Sequence, residues 1–460
     1  MDLIAAIATG SAPTAIGILR LSGDGCFDAC EQVFRAVNGT AFSAQPPRCM
    51  VYGDLLDAQG RRIDRGLAVR FPGPHSYTGE DCAEFHCHGS PVVLRELLAA
   101  VQKAGARQAL PGEFTRRAFL SGRMDLTQAE AVADLIDAES AAAARNAAGQ
   151  LTGALRRGIE AVYQSLLELS AQLCAVVDYP DEDIADLDTA ATDTVLSGAE
   201  QALDRLLATC QRGRILKSGV RTAIIGRPNA GKSSLLNALA GYERCLVTDI
   251  PGTTRDTVEE SVSCAGVPLR LVDTAGIRDT EDTVERLGVQ RARQAVAEAD
   301  LVLAVFDASR PLTDEDRRIR DLAAEQPRWI LIFSKKDLAP PPDAEALCPP
   351  DRPGTPPAAV VALSSRTGEG LEALEAAVAA LFPEGSAPAG EILTNARQQD
   401  AASRARDAVS RARTALRSGL TPDAALSDVE DALNALGELS GRTAREDLVD
   451  RIFARFCVGK

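Results

Sequence analysis

Residues 222–240 read Thr222-Ala223-Ile224-Ile225-Gly226-Arg227-Pro228-Asn229-Ala230-Gly231-Lys232-Ser233-Ser234 and continue Leu235-Leu236-Asn237-Ala238-Leu239-Ala240. An apolar strand runs into a glycine-bounded loop ending Gly-Lys-Ser, and a helix follows at once. Glycines in such a loop let successive backbone N–H groups point into a concavity, and the helix N-terminus adds positive potential. In that cradle Lys232 neutralises the β- and γ-phosphates and the Ser233 hydroxyl is a ligand for Mg2+. The stretch therefore predicts a nucleoside triphosphate site on an α/β domain.

Downstream segments fit the same chemistry. Gly252-Thr253-Thr254-Arg255-Asp256 carries a threonine placed to reach Mg2+ from a loop, and Asp273-Thr274-Ala275-Gly276 ends the strand Leu269–Val272, where an acid is needed near the metal. Ser334-Lys335-Lys336-Asp337 follows the strand Trp329–Phe333, and Ser364-Ser365-Arg366 follows the strand Ala359–Leu363. An aspartate facing guanine accepts from its ring N–H and its exocyclic amine, a pair adenine cannot match, so Asp337 indicates GTP. These segments resemble translation-factor-type GTPases, whose guanine motif is Asn-Lys-x-Asp; Ser334 departs from it. Ile277 stands where Ras-like enzymes have a water-orienting glutamine, so hydrolysis needs another device. The side-chain oxygen of Asn229 offers a ligand for K+, whose charge could replace an arginine finger. Glu285 is the nearby carboxylate that could position water; as a helix N-terminal acid beside Arg286 it has a purely structural reading as well.

Apolar runs at Arg221–Ile225, Leu269–Val272, Leu301–Phe306 and Trp329–Phe333 alternate with helical segments, the pattern of a parallel sheet covered by helices. Residues 1–117 read as mixed α/β, with strands Ala15–Leu21, Ile63–Phe71 and Ala83–His88 and a helix opened by Pro91. Residues 118–215 are helical: Thr127 and Glu130 form a capping-box pair, and Ile159, Val162, Leu166, Leu169 and Leu173 lie at helical spacing. After Phe382-Pro383 the chain is helical again. The expected architecture is an α/β domain over 1–117 and a discontinuous helical domain, 118–215 and 383–460, interrupted by a Ras-like P-loop domain over 216–382; two separate bundles would give the same string. Between Pro340 and Pro357 lie eight of the 24 prolines, so this segment is expected to be a surface loop without a helix.

The chain has 460 residues and a formal charge of −15, from 50 basic against 65 acidic residues. That balance excludes a whole-surface nucleic-acid binder and confines any RNA contact to a local patch. The six arginines between Arg397 and Arg417 form one helical stripe, without interleaved aromatics for stacking. No apolar run approaches the ~18 residues of a membrane span. The N-terminal Met-Asp-Leu-Ile-Ala-Ala-Ile reads as the first strand of a cytosolic protein rather than a signal peptide. Eleven scattered cysteines with no CxxC pair indicate neither a disulfide framework nor a zinc ribbon. The cluster Cys82, His86, Cys87, His88 fits no common zinc spacing, since alternation on a strand puts Cys87 opposite the two histidines.

Beyond these readings, the chain resembles the MnmE (TrmE) family of tRNA-modification GTPases over essentially its whole length. The matching residues are Gly17-Ile18-Leu19-Arg20-Leu21-Ser22-Gly23, Tyr77-Thr78-Gly79-Glu80-Asp81, Pro111-Gly112-Glu113-Phe114-Thr115-Arg116-Arg117-Ala118-Phe119, Asp125-Leu126-Thr127-Gln128-Ala129-Glu130-Ala131 and the tail Phe456-Cys457-Val458-Gly459-Lys460. The resemblance implies a dimerising N-terminal domain with a tetrahydrofolate-binding fold and a G domain inserted in a helical domain. It also implies a cytoplasmic homodimer without a membrane span, working with the FAD- and NADH-dependent partner MnmG in a heterotetramer or larger complex. There FAD belongs to the partner, and the pair adds a carboxymethylaminomethyl or aminomethyl group at C5 of the wobble uridine of tRNA. The one-carbon unit comes from a folate, 5-formyl- or 5,10-methylene-tetrahydrofolate.

Carried over by position, Arg20, Glu84, Arg123 and Lys460 contact folate, with Arg123 where many members have lysine. Potassium falls on Asn229, Thr253 and the carbonyls of Thr248 and Ile250, magnesium on Ser233 and Thr254, and the water-positioning acid on Glu285. The nucleotide is further expected to meet Ala230, Gly231, Lys232, Ser234, Asp249, Pro251, Gly252, Asp273, Thr274, Ala275, Gly276, Lys335, Asp337, Ser364, Ser365 and Arg366. Cys457 aligns with the family's tail cysteine; its chemical role stays open between a packed thiol and a nucleophile. A regulatory GTPase switch that modifies nothing would share every nucleotide motif, and only the folate residues and the tail argue against it.

Overall fold

A computed structural model of the chain describes residues 1–10, 12–178, 188–242, 260–272, 293–349, 354–383, 387–443, 446–454 and 456–459. These form two compact units: residues 1–133, 150–199 and 404–460, and residues 134–149 and 200–403.

Among the described residues, the first unit holds a seven-stranded sheet. Its strands are β1 (Ile4–Ile7), β2 (Thr14–Ser22), β3 (Phe34–Ala36), β4 (Val51–Leu56), β5 (Arg62–Phe71), β6 (Cys82–Gly89) and β7 (Arg107–Gln108), in the order β3-β4-β5-β6-β2-β1-β7. Alternation along β2 sends Leu19 and Leu21 into the core with Phe85 and Ala68, against Cys26, Cys30 and Val33 of one helix and Leu94, Leu97 and Val101 of the helix Pro91–Lys103. The same alternation leaves Arg20 on the other face, opposite Glu84 of β6. Below the sheet in sequence, the helix Ala154–Asp178 buries Ile159, Val162, Leu166, Leu169 and Leu173, and it packs on the helix Pro422–Ser440 through that stripe.

One helix start differs from expectation. The helix Leu126–Ile136 begins a turn before Glu130. Its cap is Asp125, whose carboxylate accepts from the Gln128 N–H (2.8 Å) while the Gln128 side chain accepts from the Asp125 N–H (3.0 Å). Asp-x-x-Gln satisfies both orphan donors, so Thr127 is free to sit inside the first turn.

Among the described residues, the second unit is built on a six-stranded sheet, β8 (Val220–Ile225), β9 (Glu260–Cys264), β10 (Val267–Leu271), β11 (Leu301–Asp307), β12 (Trp329–Ser334) and β13 (Ala359–Ala362), in the order β13-β12-β11-β8-β10-β9. Five strands are parallel as expected, and β12 is buried along its whole length because helices cover both faces. The exception is β9, antiparallel to β10 through a two-residue turn in which Ala265 (φ 52°) and Gly266 (φ 76°) are both left-handed. A helix over Ala344–Leu347 interrupts the proline-rich segment, contrary to expectation. Its prolines flank the turn instead of entering it; the Asp343 carboxylate accepts from the Glu345 N–H (3.2 Å), and Leu347 is buried. No helix among the described residues is long and apolar enough to cross a membrane.

Candidate functional site

The chain leaves β8 at Gly226, where a Cβ would come within 2.4 Å of the Val305 carbonyl, so only glycine allows the loop to start there. Asn229 (φ 62°) and Gly231 (φ 99°) are left-handed, and the helix Lys232–Tyr242, with Ser233 and Ser234 in its first turn, follows directly. Lys232 curls back over the loop, its Nζ donating to the carbonyls of Gly226 (2.8 Å) and Arg227 (2.9 Å). Burial pulls its pKa below the ordinary lysine value, against the field of Glu315. Arg227 reaches out to Glu315 (2.8 Å) and Thr313 (3.2 Å), which begin the helix Asp314–Ala323, and so fastens the far side of the loop. The Asn229 side chain makes no hydrogen bond among the described residues; the residue's backbone carbonyl accepts from Lys335 Nζ (2.8 Å).

That lysine links the phosphate loop to the segments expected to hold the base. Lys335 Nζ also pairs with Asp307 (2.6 Å) at the end of β11. Asp337 accepts a fork from Arg366 Nε (3.0 Å) and Nη2 (2.8 Å), and a bond from the Ser364 hydroxyl followed by that fork holds its carboxyl below the usual range. Lys335, Asp337, Ser364, Ser365 and Arg366 thus cluster with the loop at the C-terminal ends of β8, β12 and β13, where open α/β sheets take ligands. Residues 248–254, 273–276 and Glu285 lie outside the described residues.

A second cluster sits in the first unit. Arg20 and Glu84 are cross-strand partners, with Nε 2.8 Å from Oε1, and the guanidinium lies 5.4 Å from the Tyr77 ring centroid and 5.7 Å from that of Phe114. His86 Nε2 is 3.3 Å from the other Glu84 oxygen. The tail comes to the same place: Val458 bridges Pro111, the Cys457 carbonyl accepts from the Gly112 N–H (3.3 Å), and the Gly459 carbonyl lies 3.5 Å from Arg20 Nη1. Gly112 is left-handed (φ 65°) and a Cβ there would meet the Phe453 carbonyl at 2.6 Å, so this seat for the tail requires glycine. Arg123 follows the turn at Ser121, packed near Gly79; Cys457 is exposed and Lys460 lies outside the described residues.

The same unit holds a charge network not anticipated from the sequence. Buried Arg117 bonds the Asp2 carboxylate (2.7 Å) and carbonyl (2.8 Å), Glu80 (3.0 Å) and Glu113 (3.1 Å). The available signal was that Glu80, Glu113 and Arg117 all fall in the matching motif stretches. The soft side chains of β6 are dispersed: Cys82 meets Thr78 and Ser22, burial pushes the Cys87 thiol up to about 11, and His88 pairs with Asp64 (2.9 Å).

Comparison with known proteins extends these observations. A model described as the MnmE helical domain matches residues 126–457, and one described as the GTP-binding protein TrmE N-terminus matches residues 3–123. Proteins named tRNA modification GTPase MnmE from Roseiflexus castenholzii and Symbiobacterium thermophilum are each 44% identical, over 100% of this chain and 99% of their own. The chain belongs to the MnmE family. The G domain of the T. maritima FeoB iron transporter is 30% identical over 35% of this chain and 96% of that one, with a TM-score of 0.26.

Within the MnmE helical region the arginine stripe is largely matched inside the protein. Arg404 pairs with Glu438 (2.6 Å), Arg411 with Asp428 (2.7 Å), and Arg413 and Arg417 both with Asp193 (2.9 and 2.8 Å). These partners favour a helix-packing role over phosphate contact for the stripe.

Proposed function

We propose that this chain is the GTP-hydrolysing subunit of a cytoplasmic tRNA-modifying enzyme. Acting as a homodimer with MnmG, it adds a carboxymethylaminomethyl or aminomethyl group at C5 of the wobble uridine. The observation that carries this reading is the union, in one MnmE-family chain, of a phosphate loop with its base-side carboxylate and a separate Arg20–Glu84 cluster met by the tail. A regulatory switch needs the first and has no use for the second. Residues 1–117 form the folate-binding and dimerisation domain in this reading, 118–215 and 383–460 the helical domain, and 216–382 the G domain. Mass spectrometry of wobble-uridine nucleosides from cells with and without the protein tests it: the C5-aminomethyl-type uridines should disappear. An unchanged profile returns the chain to the class of switches.

In the G domain, Lys232 meets the β- and γ-phosphates, Ser233 and Thr254 hold Mg2+, Asp337 selects guanine and Glu285 positions water. The Asn229 amide, unbonded among the described residues and on a loop tied to Lys335, suits a hard monovalent cation, and K+ would supply positive charge beside the phosphates. Turnover should be at least about tenfold faster in K+ than in Na+, a small part of what an arginine finger supplies. Asn229→Ala should erase that difference, and equal rates in both salts for the parent protein would rule the cation out.

In the first unit, a guanidinium, a carboxylate and two aromatic rings suit a planar, hydrogen-bonding ring system, here a tetrahydrofolate, with Arg123 and Lys460 added by family position. When bound, the folate supplies the one-carbon unit. Arg20→Ala should weaken binding of 5-formyl-tetrahydrofolate by about ten- to a hundredfold, the range for a charged hydrogen bond, with GTP turnover unchanged. Undiminished binding, read by calorimetry, would remove Arg20 from the site.

A further inference from the structure

Ser334 stands where the guanine motif of translation-factor-type GTPases has asparagine. The Ser334 side chain is buried at the end of β12, with Oγ 2.5 Å from the Ala230 carbonyl and 3.1 Å from the Phe306 carbonyl. A serine hydroxyl carries one proton. Here both neighbours are acceptors, so that proton is shared between the phosphate loop and β11. The fit is close: a Cβ on Gly231 would lie 3.3 Å from the same oxygen. The asparagine usual in GTPases has two amide protons and a longer reach, enough to hold the loop and still donate outward. Guanine N7 is a pure acceptor and needs such a donor.

We propose that Ser334 spends its only donor on the phosphate loop and leaves purine N7 unread, so that guanine recognition in this chain rests on the ring N–H and exocyclic amine that Asp337 accepts from. This deepens the GTP reading and depends on it. The protein therefore accepts 7-deaza-GTP, in which C–H replaces N7, as well as GTP, while still refusing ATP.

The test is competition of GTP, 7-deaza-GTP and ATP for the full chain in Mg2+ and K+, using a fluorescent guanine nucleotide as reporter. The expected result is a GTP to 7-deaza-GTP affinity ratio within about twofold, with ATP much weaker. A ratio of about tenfold or more, the loss expected when a built donor is left unpaired, overturns the inference and leaves GTP as substrate. Equal binding of ATP and GTP overturns the GTP reading and the inference together. Ser334→Asn should raise the ratio towards tenfold by restoring a donor. Ser334→Ala should weaken both guanine nucleotides alike, because it frees the loop without touching N7; selective loss of GTP in Ser334→Ala would show that the hydroxyl does reach the base.

Discussion

Arg117→Met is expected to lower the stability of the first unit by about 3–5 kcal/mol, the cost of taking the cation from Glu80 and one of two cations from Glu113. The side chain is 4% exposed, and Glu113 and Glu80, at 9% and 15%, have little water to fall back on. Methionine fills the volume, so the loss reports charge rather than a cavity. Arg107→Met is the control: Arg107 bonds Glu113 and Asp2 as well, but at 44% exposure its ion pairs should contribute about 1 kcal/mol or less. Urea unfolding followed by circular dichroism separates the two; equal losses would mean that the network behaves as surface pairs. Burial pushes the Glu113 pKa up, but bonds from Arg107, the Leu110 N–H and Arg117 outweigh it and leave the carboxyl below its ordinary value of 4.5. A depressed carboxyl stabilises fully above its unfolded value and loses that contribution as pH falls through the folded one. The parent unit should therefore soften below about pH 4.5, and Arg117→Met should flatten that slope.

Lys232→Ala should reduce GTP turnover by about 10²–10³-fold, the scale of losing a pre-placed donor to developing phosphate charge. In the free loop its ammonium is held by two loop carbonyls, 2.8 and 2.9 Å away, and is already partly desolvated, so it reaches phosphate at little further hydration cost. The same bonds mean that the substitution also releases the loop. The ratio of the two losses distinguishes the roles: a loop prop would weaken GDP and GTP alike and lower turnover no further, whereas a ligand of the β- and γ-phosphates weakens GDP as well but costs GTP turnover far more than GDP binding. Turnover within tenfold of the parent would reduce Lys232 to the prop.

What was readable from the sequence divides by how far apart the cooperating residues lie. The phosphate loop was legible because strand, glycines, Lys232 and Ser233 are contiguous and each has a local reason to be there. Capping was legible in kind but misplaced, since Asp125–Gln128 and Thr127–Glu130 both satisfy the spacing and only the helix start separates them. The antiparallel β9 escaped notice because its turn is Ala265-Gly266, and alanine rarely occupies a left-handed position. The proline-rich segment leaves a six-residue gap, residues 343–348, between Pro342 and Pro349, and a rule about single prolines does not see that it can hold one turn. Arg117 and Asp2 are 115 positions apart, and no periodicity pairs them. The Arg20–Glu84 pair is legible only by resemblance; opposite charges on two strands carry no mark of their register.

The tail seated beside Arg20 has a consequence for the order in which the protein is made. The Gly459 carbonyl meets a side chain synthesised 439 residues earlier. Every strand of the N-terminal sheet has been translated by Gln108, and that sheet can form while the rest of the chain is still being assembled. The contact from the tail comes only at the end: any nascent chain halted before residue 459 carries the Arg20–Glu84 pair without the Gly459 carbonyl beside it, so this contact is made only after the GTP-binding domain has been translated.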